Sequence, residues 1–528
     1  MLFRTVATSA AILVALAITG AVAGPAWEPE PVVDHLEPAT VSTAIGGVSA
    51  DGGEPGDHEV RESAVTIPLA DGLEVGGLLR EPVGADGPDG SPGIVFVHGA
   101  GTGKAADAFT LAATALASAG ITTLVPDKRL DNYSTRHRDY EAMARDYAHS
   151  VSYLRGVPGV DPDAVGLYAE SEGAWVSPVM MVDDPRLAFQ ILVSAPVVPP
   201  RQQAAYAVDN YLRNTDVPAG VFRAIPRAVG MSLPGGGFEY ADFDVRPWLR
   251  QQDDPILAVY GTNDASMPLE QGARELIEAA DGVTVRFYDR ANHGINVETP
   301  EGLLLHPDFA ADVADWLLGL PATASAPPQV AGAQPEQLYL AAPVAQPHWY
   351  GDGDWLVGVV VTAGGLLVVG PLLVGGAALR GRLARRRSGR PGARLAPGLR
   401  VPLTGLGVGA VVTTVGLGVY LVAVARLALD YEKDALVVQG GWIAVRLLGI
   451  ATVVAAALLL DRVRDLRGGV VLVGAAELPS RDDPVEADRT AASRASAAVV
   501  RTGVGATVLG STALLVTLAY WGAYQLGI

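Results

Sequence analysis

Between residues 64 and 320, short apolar runs alternate with longer segments whose apolar residues recur every three or four positions. Apolar runs bounded by turn residues read as buried strands, and the three-to-four spacing reads as amphipathic helix. Val65 to Leu69 and Leu73 to Leu79 flank Ala70-Asp71-Gly72, a hairpin signal. Ile94 to Val97 predicts a strand, Ala105 to Ala119 a helix, Ile121 to Val125 a strand and Tyr140 to Leu154 a helix. Val165 to Tyr168, Phe189 to Val193, Ile256 to Tyr260 and Val283 to Tyr288 predict further strands, and Leu303 to Leu320 a closing helix. This alternation predicts an α/β fold with a mostly parallel sheet and helices on both faces. Pro199 to Asp254 interrupts it with Tyr206, Tyr211, Phe222, Phe238, Tyr240, Phe243 and Trp248, and is expected to be either a lid over a site or a packing excursion.

Outside that region the apolar runs are longer. Arg4 precedes Val6 to Val22, and Ala21-Val-Ala23 supplies small residues before Gly24-Pro25, so residues 1–23 are expected as a signal peptide, with an uncleaved anchor helix as the other reading. Residues 24–63 read as an acidic Pro/Gly-rich leader without a core, and 321–354 as a semi-extended linker. Residues 355–528 read as an all-α transmembrane region with four spans, 355–379, 401–425, 442–460 and 502–526. Val470 to Val473 is too short to cross.

Charge orients these spans. Arg380, Arg382, Arg385, Arg386, Arg387, Arg390, Arg394 and Arg400 follow the first span with no acid among them, which places that loop in the cytoplasm. The loop with Asp430, Glu432 and Asp434 then faces out, and the 461–497 loop faces in. The expected location is the cell membrane, multi-pass, with residues 64–320 extracytoplasmic. Arg446 is one turn from the outer end of its span and is expected to snorkel. No chain of ionisable residues runs through the spans, which disfavours a transporter.

Composition narrows the picture. Hydrophobic residues are 49% and charged residues 18% of the chain, consistent with membrane segments. There is no cysteine, so thiol catalysis, disulfides and cysteine-ligated metals are excluded. Gly24 to Asp354 carries 47 acids against 19 bases, a net −28, which argues against nucleic acid as a partner. The histidines are scattered, and no metal or cofactor is expected.

The chemistry concentrates at strand ends. Ser171 follows the strand Val165 to Tyr168 directly, with Ala169 and Gly173 two residues either side and an apolar helix beyond. Small residues at those positions let the backbone cross itself tightly, the pattern of a nucleophile elbow. His98-Gly-Ala-Gly101 ends the Ile94 strand and is placed to aim N–H groups at an oxyanion. Gly261-Thr-Asn-Asp264 ends the Ile256 strand, and Ala291-Asn-His293-Gly294 follows the Val283 strand. Ser171, Asp264 and His293 are thus the candidate nucleophile, acid and base, with Ala100, Gly99 and Glu172 as candidate oxyanion residues. His306 precedes Pro307 and is the less favoured base; His98 is expected to be structural, and Asp127-Lys-Arg129 to be an ion-pair network or an anion contact.

Taken together, His98-Gly-Ala-Gly101, Asp127-Lys-Arg129, Ala169-Glu-Ser-Glu-Gly173, Gly261-Thr-Asn-Asp264 and Asn292-His-Gly294 make residues 64–320 resemble the α/β-hydrolase superfamily, nearest to dienelactone-hydrolase-like and prolyl-oligopeptidase-like serine hydrolases. The resemblance implies the α/β-hydrolase fold and a Ser171–His293–Asp264 triad cleaving carboxylic esters through an acyl-serine. Ala169 stands where glycine is usual, and two glutamates flank the serine. An envelope acyltransferase, a serine peptidase, and an inactive domain serving a membrane partner are the alternatives. The expected substrate is a small-molecule or lipid-linked ester of modest size, uncharged or weakly charged because of the acidic surroundings, to which Glu170 and Glu172 add if they face the cleft.

Overall fold

A computed structural model describes residues 2–525 apart from 46–52, 71, 86–89, 102, 216, 389–393, 430–431, 467–471 and 474–483. Asp71 of the hairpin signal, Arg390, Asp430, much of the 461–497 loop and the Val470 end of the short apolar run lie outside the described residues. The chain forms two units, Glu28–Asn210 with Gly237–Val344, and Met1–Trp27 with Tyr211–Gly236 and Ala345–Ile528.

The first unit is built on a nine-stranded sheet. Its strands are β1 (Val60–Pro68), β2 (Glu74–Pro82), β3 (Ser91–Val97), β4 (Thr122–Pro126), β5 (Val160–Glu170), β6 (Gln190–Val193), β7 (Ile256–Gly261) and β8 (Val283–Tyr288). A hairpin of β9 (Asn296–Thr299) and β10 (Gly302–Leu305) follows, then β11 (Val330–Gly332). The order is β1-β2-β4-β3-β5-β6-β7-β8-β11. β1 and β2 are antiparallel, β2 runs antiparallel to β4, and every pairing from β4 to β11 is parallel.

Parallel neighbours need crossover connections, and helices supply them. Numbering from α1 (Leu2–Ala23) in the second unit, α2 (Thr110–Ser118) joins β3 to β4, α3 (Tyr140–Arg155) joins β4 to β5, and α4 (Gly173–Asp183) joins β5 to β6. Four helices lie between β6 and β7: α5 (Pro200–Asn214), α6 (Ala219–Phe222), α7 (Ala224–Val229) and α8 (Arg246–Leu249). α9 (Leu269–Ala279) joins β7 to β8, and α10 (Phe309–Leu318) follows the hairpin. Side chains alternate across the sheet. Val95, Val97, Leu167 and Ala169 join one buried core with α3 and α4, while Ile94, Phe96 and Tyr168 join another with α2 and α10.

Three local departures from expectation have physical causes. The segment 303–320 is not one helix. Leu303 to Leu305 belong to β10, and α10 starts only at Phe309, because Pro307 disfavours helical backbone at His306. Helix α2 starts at Thr110, five residues later than expected, after Phe109 in a left-handed conformation (φ 60°). The 321–354 segment supplies β11 on the sheet edge, and the leader lies along it through Ala39 N–H to Val330 O at 3.0 Å and Val32 N–H to Leu338 O at 3.0 Å. The unit boundary falls within the 199–254 segment, after Asn210 and again after Gly236.

The second unit contains α11 (Gly353–Ser388), α12 (Arg400–Leu429), α13 (Gly441–Asp465) and α14 (Pro484–Tyr520) in addition to α1. These are five helices long and apolar enough to cross a membrane, the four expected and α1, which was expected as a signal peptide. α1 packs on α13 and α14. Thr5 Oγ1 donates to Asp461 Oδ2 at 2.8 Å, the Asp461 side chain being 0% exposed, and Arg4 donates to Asp465 at 2.7 Å. At its other end the Arg227 guanidinium donates to Gly20 O at 2.7 Å and to Tyr520 O. Small residues set the spacing between helices. A Cβ on Gly370 of α11 would lie 2.7 Å from the Gly503 carbonyl of α14.

Candidate active site

Ser171 sits where β5 turns into α4, and its φ is +56°, a left-handed conformation uncommon for a residue other than glycine. The turn is held by Ser171 N–H to Val193 O at 2.9 Å and Ala174 N–H to Ser171 O at 3.0 Å. Gly173 has no room for a side chain, since a Cβ there would lie 2.5 Å from Val97 O. Ala169, fully buried, fits without needing to be glycine. This is the strained strand-to-helix turn that a nucleophile elbow requires.

The turn ending β3 lies over the serine. A Cβ on Gly99 would sit 3.2 Å from both Glu170 O and Ser171 Cβ, a tight fit that glycine relieves. Among the described residues neither the Ala100 nor the Glu172 N–H has a backbone or side-chain acceptor. His98 supports the turn from beneath. It is fully buried, its Nε2–H donates to Pro126 O at 2.7 Å, and burial depresses its pKa to about 4, keeping it neutral.

The ends of β7 and β8 bring Asp264 and His293 together. His293 Nδ1–H donates to Asp264 Oδ2 at 2.7 Å. Ser266, two residues beyond the aspartate, holds the other oxygen through its N–H at 2.9 Å and its Oγ–H at 2.7 Å. Ser194, at the end of β6, donates its Oγ–H to His293 O at 2.8 Å. Burial opposes charge on His293, but the Asp264 carboxylate and the nearby Glu170 outweigh it and raise the pKa to about 9. Burial also works against the Asp264 anion, and His293 with Ser266 reverses it, holding the carboxyl below its ordinary range. Glu170 is shifted up, chiefly by burial. Ser171 Oγ makes no hydrogen bond among the described residues. Catalytic hydrogen bonds often tighten only when substrate is bound. His306 lies apart from this pair, its ring against Tyr288 at 5.0 Å.

A second cluster lies under the elbow. The Glu172 side chain, 1% exposed, does not face the cleft. It accepts from Lys128 Nζ at 2.6 Å, Arg138 at 2.6 Å and Tyr133 Oη at 2.9 Å. Lys128 also donates to Gly99 O at 3.1 Å, so one ammonium ties the oxyanion turn to the elbow. Burial draws the Lys128 pKa down, and Glu172 resists that shift. The neighbouring positions of the Asp127-Lys-Arg129 motif are also paired internally, Asp127 with Lys104 at 2.8 Å and Arg129 with Asp131 and Asp146. The motif is thus an ion-pair network. The contribution of Glu172 to a negative cleft is corrected, because two cations neutralise it.

Lys128→Met is expected to lower kcat about 10²-fold with little change in KM, as when one oxyanion donor is lost, because Gly99 loses its anchor while Glu172 keeps Arg138 and Tyr133. Steady-state kinetics on a soluble ester check this, and an unchanged kcat would remove Lys128 from any positioning role.

No protein-family model matches the chain, and no curated protein does. Among solved structures it is similar to the dienelactone hydrolase from Anabaena variabilis, with 17% identity over 49% of this chain and 98% of that one and a TM-score of 0.34. It is similar to the Pyrococcus furiosus esterase Pf2001, with 16% identity, 54% and 98% coverage and a TM-score of 0.34. It is also similar to the α/β hydrolase GrgF from Penicillium, with 16% identity, 44% and 91% coverage and a TM-score of 0.32. On its own strand order and elbow, the first unit has the α/β-hydrolase fold.

Proposed function

We propose that the protein is an exported, membrane-tethered serine hydrolase that cleaves carboxylic esters through an acyl-serine intermediate. The observation that carries this reading is the left-handed Ser171 on its elbow in one sheet with the His293–Asp264 pair. In the reaction, Ser171 Oγ attacks the ester carbonyl while its proton passes to His293 Nε2. The developing oxyanion is received by the Ala100 and Glu172 N–H groups, with Gly99 allowing the turn to come close. Collapse expels the alcohol, which takes the proton from His293. Water then repeats the sequence on the acyl-serine and releases the acid. Asp264 fixes the imidazole tautomer and stabilises the imidazolium.

The proposed substrates are uncharged small-molecule or lipid-linked esters. Support comes from the net −28 between Gly24 and Asp354 and from Glu170, which lies near the catalytic histidine. The test is kcat/KM on short p-nitrophenyl esters, long-chain esters, dicarboxylate monoesters and aminoacyl peptides. Preference for the uncharged esters is expected. Preference for dicarboxylate monoesters would contradict the charge argument, and preference for peptides would make the protein a peptidase.

Tethering is proposed through five spans, with α1 retained. Arg4 and Thr5 meet α13 at its Asp461 end, so the N-terminus of α1 and the C-terminal end of α13 share one end of the bundle. The arginine-rich loop after α11 marks the cytoplasmic side. A single cysteine introduced at Ser325, which is exposed, is expected to react with an impermeant thiol reagent on whole cells, and one at Ser388 to be protected. The opposite pattern would invert the topology.

A further inference from the structure

We propose that the helical unit holds an anionic phospholipid in a groove between α11 and α12. The inference depends on these helices spanning a membrane and not on hydrolase activity. Both helices pack on α14, and a cavity of about 890 Å³ opens between them. That is near the top of the roughly 300–1,000 Å³ range of small-molecule sites. Val500 and Thr507 of α14 line its floor.

The two ends of the groove differ in character. At one end stand Arg382 on α11, Arg400 at the start of α12, and Arg394 in the connection between them. All three are exposed, and among the described residues none is paired with an acid. Among the described residues no acidic one lines the cavity. Away from the arginines the walls are apolar, and much of that surface is open: Leu379 is 58% and Val408 58% exposed. Thr507 adds no free donor there, since its hydroxyl already donates to Gly503 O at 3.0 Å.

This division selects the occupant. A soluble anion would satisfy the arginines and leave the apolar walls uncovered. A neutral lipid would cover the walls and leave three guanidinium groups without a counter-charge. From Arg382 to Leu367 the α11 wall runs roughly 22 Å at 1.5 Å per residue, longer than one leaflet of about 15 Å, half the usual hydrocarbon thickness. A phosphate headgroup on the arginines therefore places its acyl chains along the apolar wall toward the bilayer centre. Basic pockets between spans on the cytoplasmic side are suited to anionic headgroups.

The test uses the full-length protein in mixed micelles containing phosphatidylglycerol and phosphatidylcholine at equal mole fraction, with bound lipid counted by native mass spectrometry. Retention of phosphatidylglycerol over phosphatidylcholine by roughly 100-fold is expected, about a factor of five for each arginine. The R382Q/R394Q/R400Q variant should lose that preference. The R385Q/R386Q variant, whose positions do not line the cavity, should keep it. Gly375→Leu tests the apolar part. A Cβ at Gly375 meets nothing within 4 Å, so the side chain is accommodated, enters the groove and should lower retention with all arginines present. Preference surviving in the triple variant, equal loss in R385Q/R386Q, unchanged retention in Gly375→Leu, or displacement of phosphatidylglycerol by inorganic phosphate at matched ionic strength would each overturn the proposal.

Discussion

Ser171→Ala is expected to lower ester turnover by about 10⁶-fold, the scale seen when a triad nucleophile is removed, while the protein folds with unchanged thermal stability. The size of the effect follows from the elbow. The left-handed Ser171 backbone and the close packing of Gly99 and Gly173 around it prepare one hydroxyl; Ser194 is also left-handed (φ 50°), but its hydroxyl is committed to His293 O at 2.8 Å. Stability should hold because the turn is maintained by backbone hydrogen bonds of Ser171, which alanine keeps. Turnover with a p-nitrophenyl ester and a thermal melt check both halves. Activity within tenfold of the parent protein would move the nucleophile elsewhere.

The second large effect is expected at His293. His293→Ala should fall to a similar residual rate, because nucleophile and base act as a unit, whereas His306→Ala should stay within about threefold, because its ring packs on Tyr288 and lies outside that unit. His293 carries the hydrogen bond to Asp264; His306 packs on Tyr288 and flanks the start of α10. The pH profile adds an independent sign. The base must be neutral, and its pKa is raised to about 9, so turnover should climb as pH rises through that value. Asp264→Asn removes the main group that raises the pKa, so its much smaller rate should reach its plateau at lower pH. A mild His293→Ala with a severe His306→Ala would reverse the assignment of the base.

The parallel strands β3 to β8 were legible because each contains a short apolar run close to a glycine, serine or aspartate turn, and chain order then placed Ser171, Asp264 and His293 at strand ends. β11 was not, since a three-residue strand in a Pro/Ala/Gln-rich segment has no period to read and is made by pairing with β8. The break at His306-Pro307 was legible in principle but outweighed by the apolar residues on both sides. Ser266 was also within reach, since a serine two residues after an aspartate commonly bonds back to it. The Lys128–Glu172–Arg138 cluster was not, because its members lie 10 to 44 positions apart and the direction of the Glu172 side chain is set by tertiary packing. For α1, the small-residue pattern at Ala23 read as a cleavage site, while the partner of Arg4 and Thr5, Asp461, lies over 450 residues away.

The central claim is that Ser171 is a nucleophile activated within the fold, and covalent labelling tests it most directly. The full-length protein is treated with a fluorophosphonate, digested, and the adduct located by tandem mass spectrometry. A single adduct on Ser171, absent after heat denaturation and strongly reduced in His293→Ala, is the predicted result. A folded protein that hydrolyses esters yet carries no adduct at Ser171, or carries it on another residue, would contradict the account.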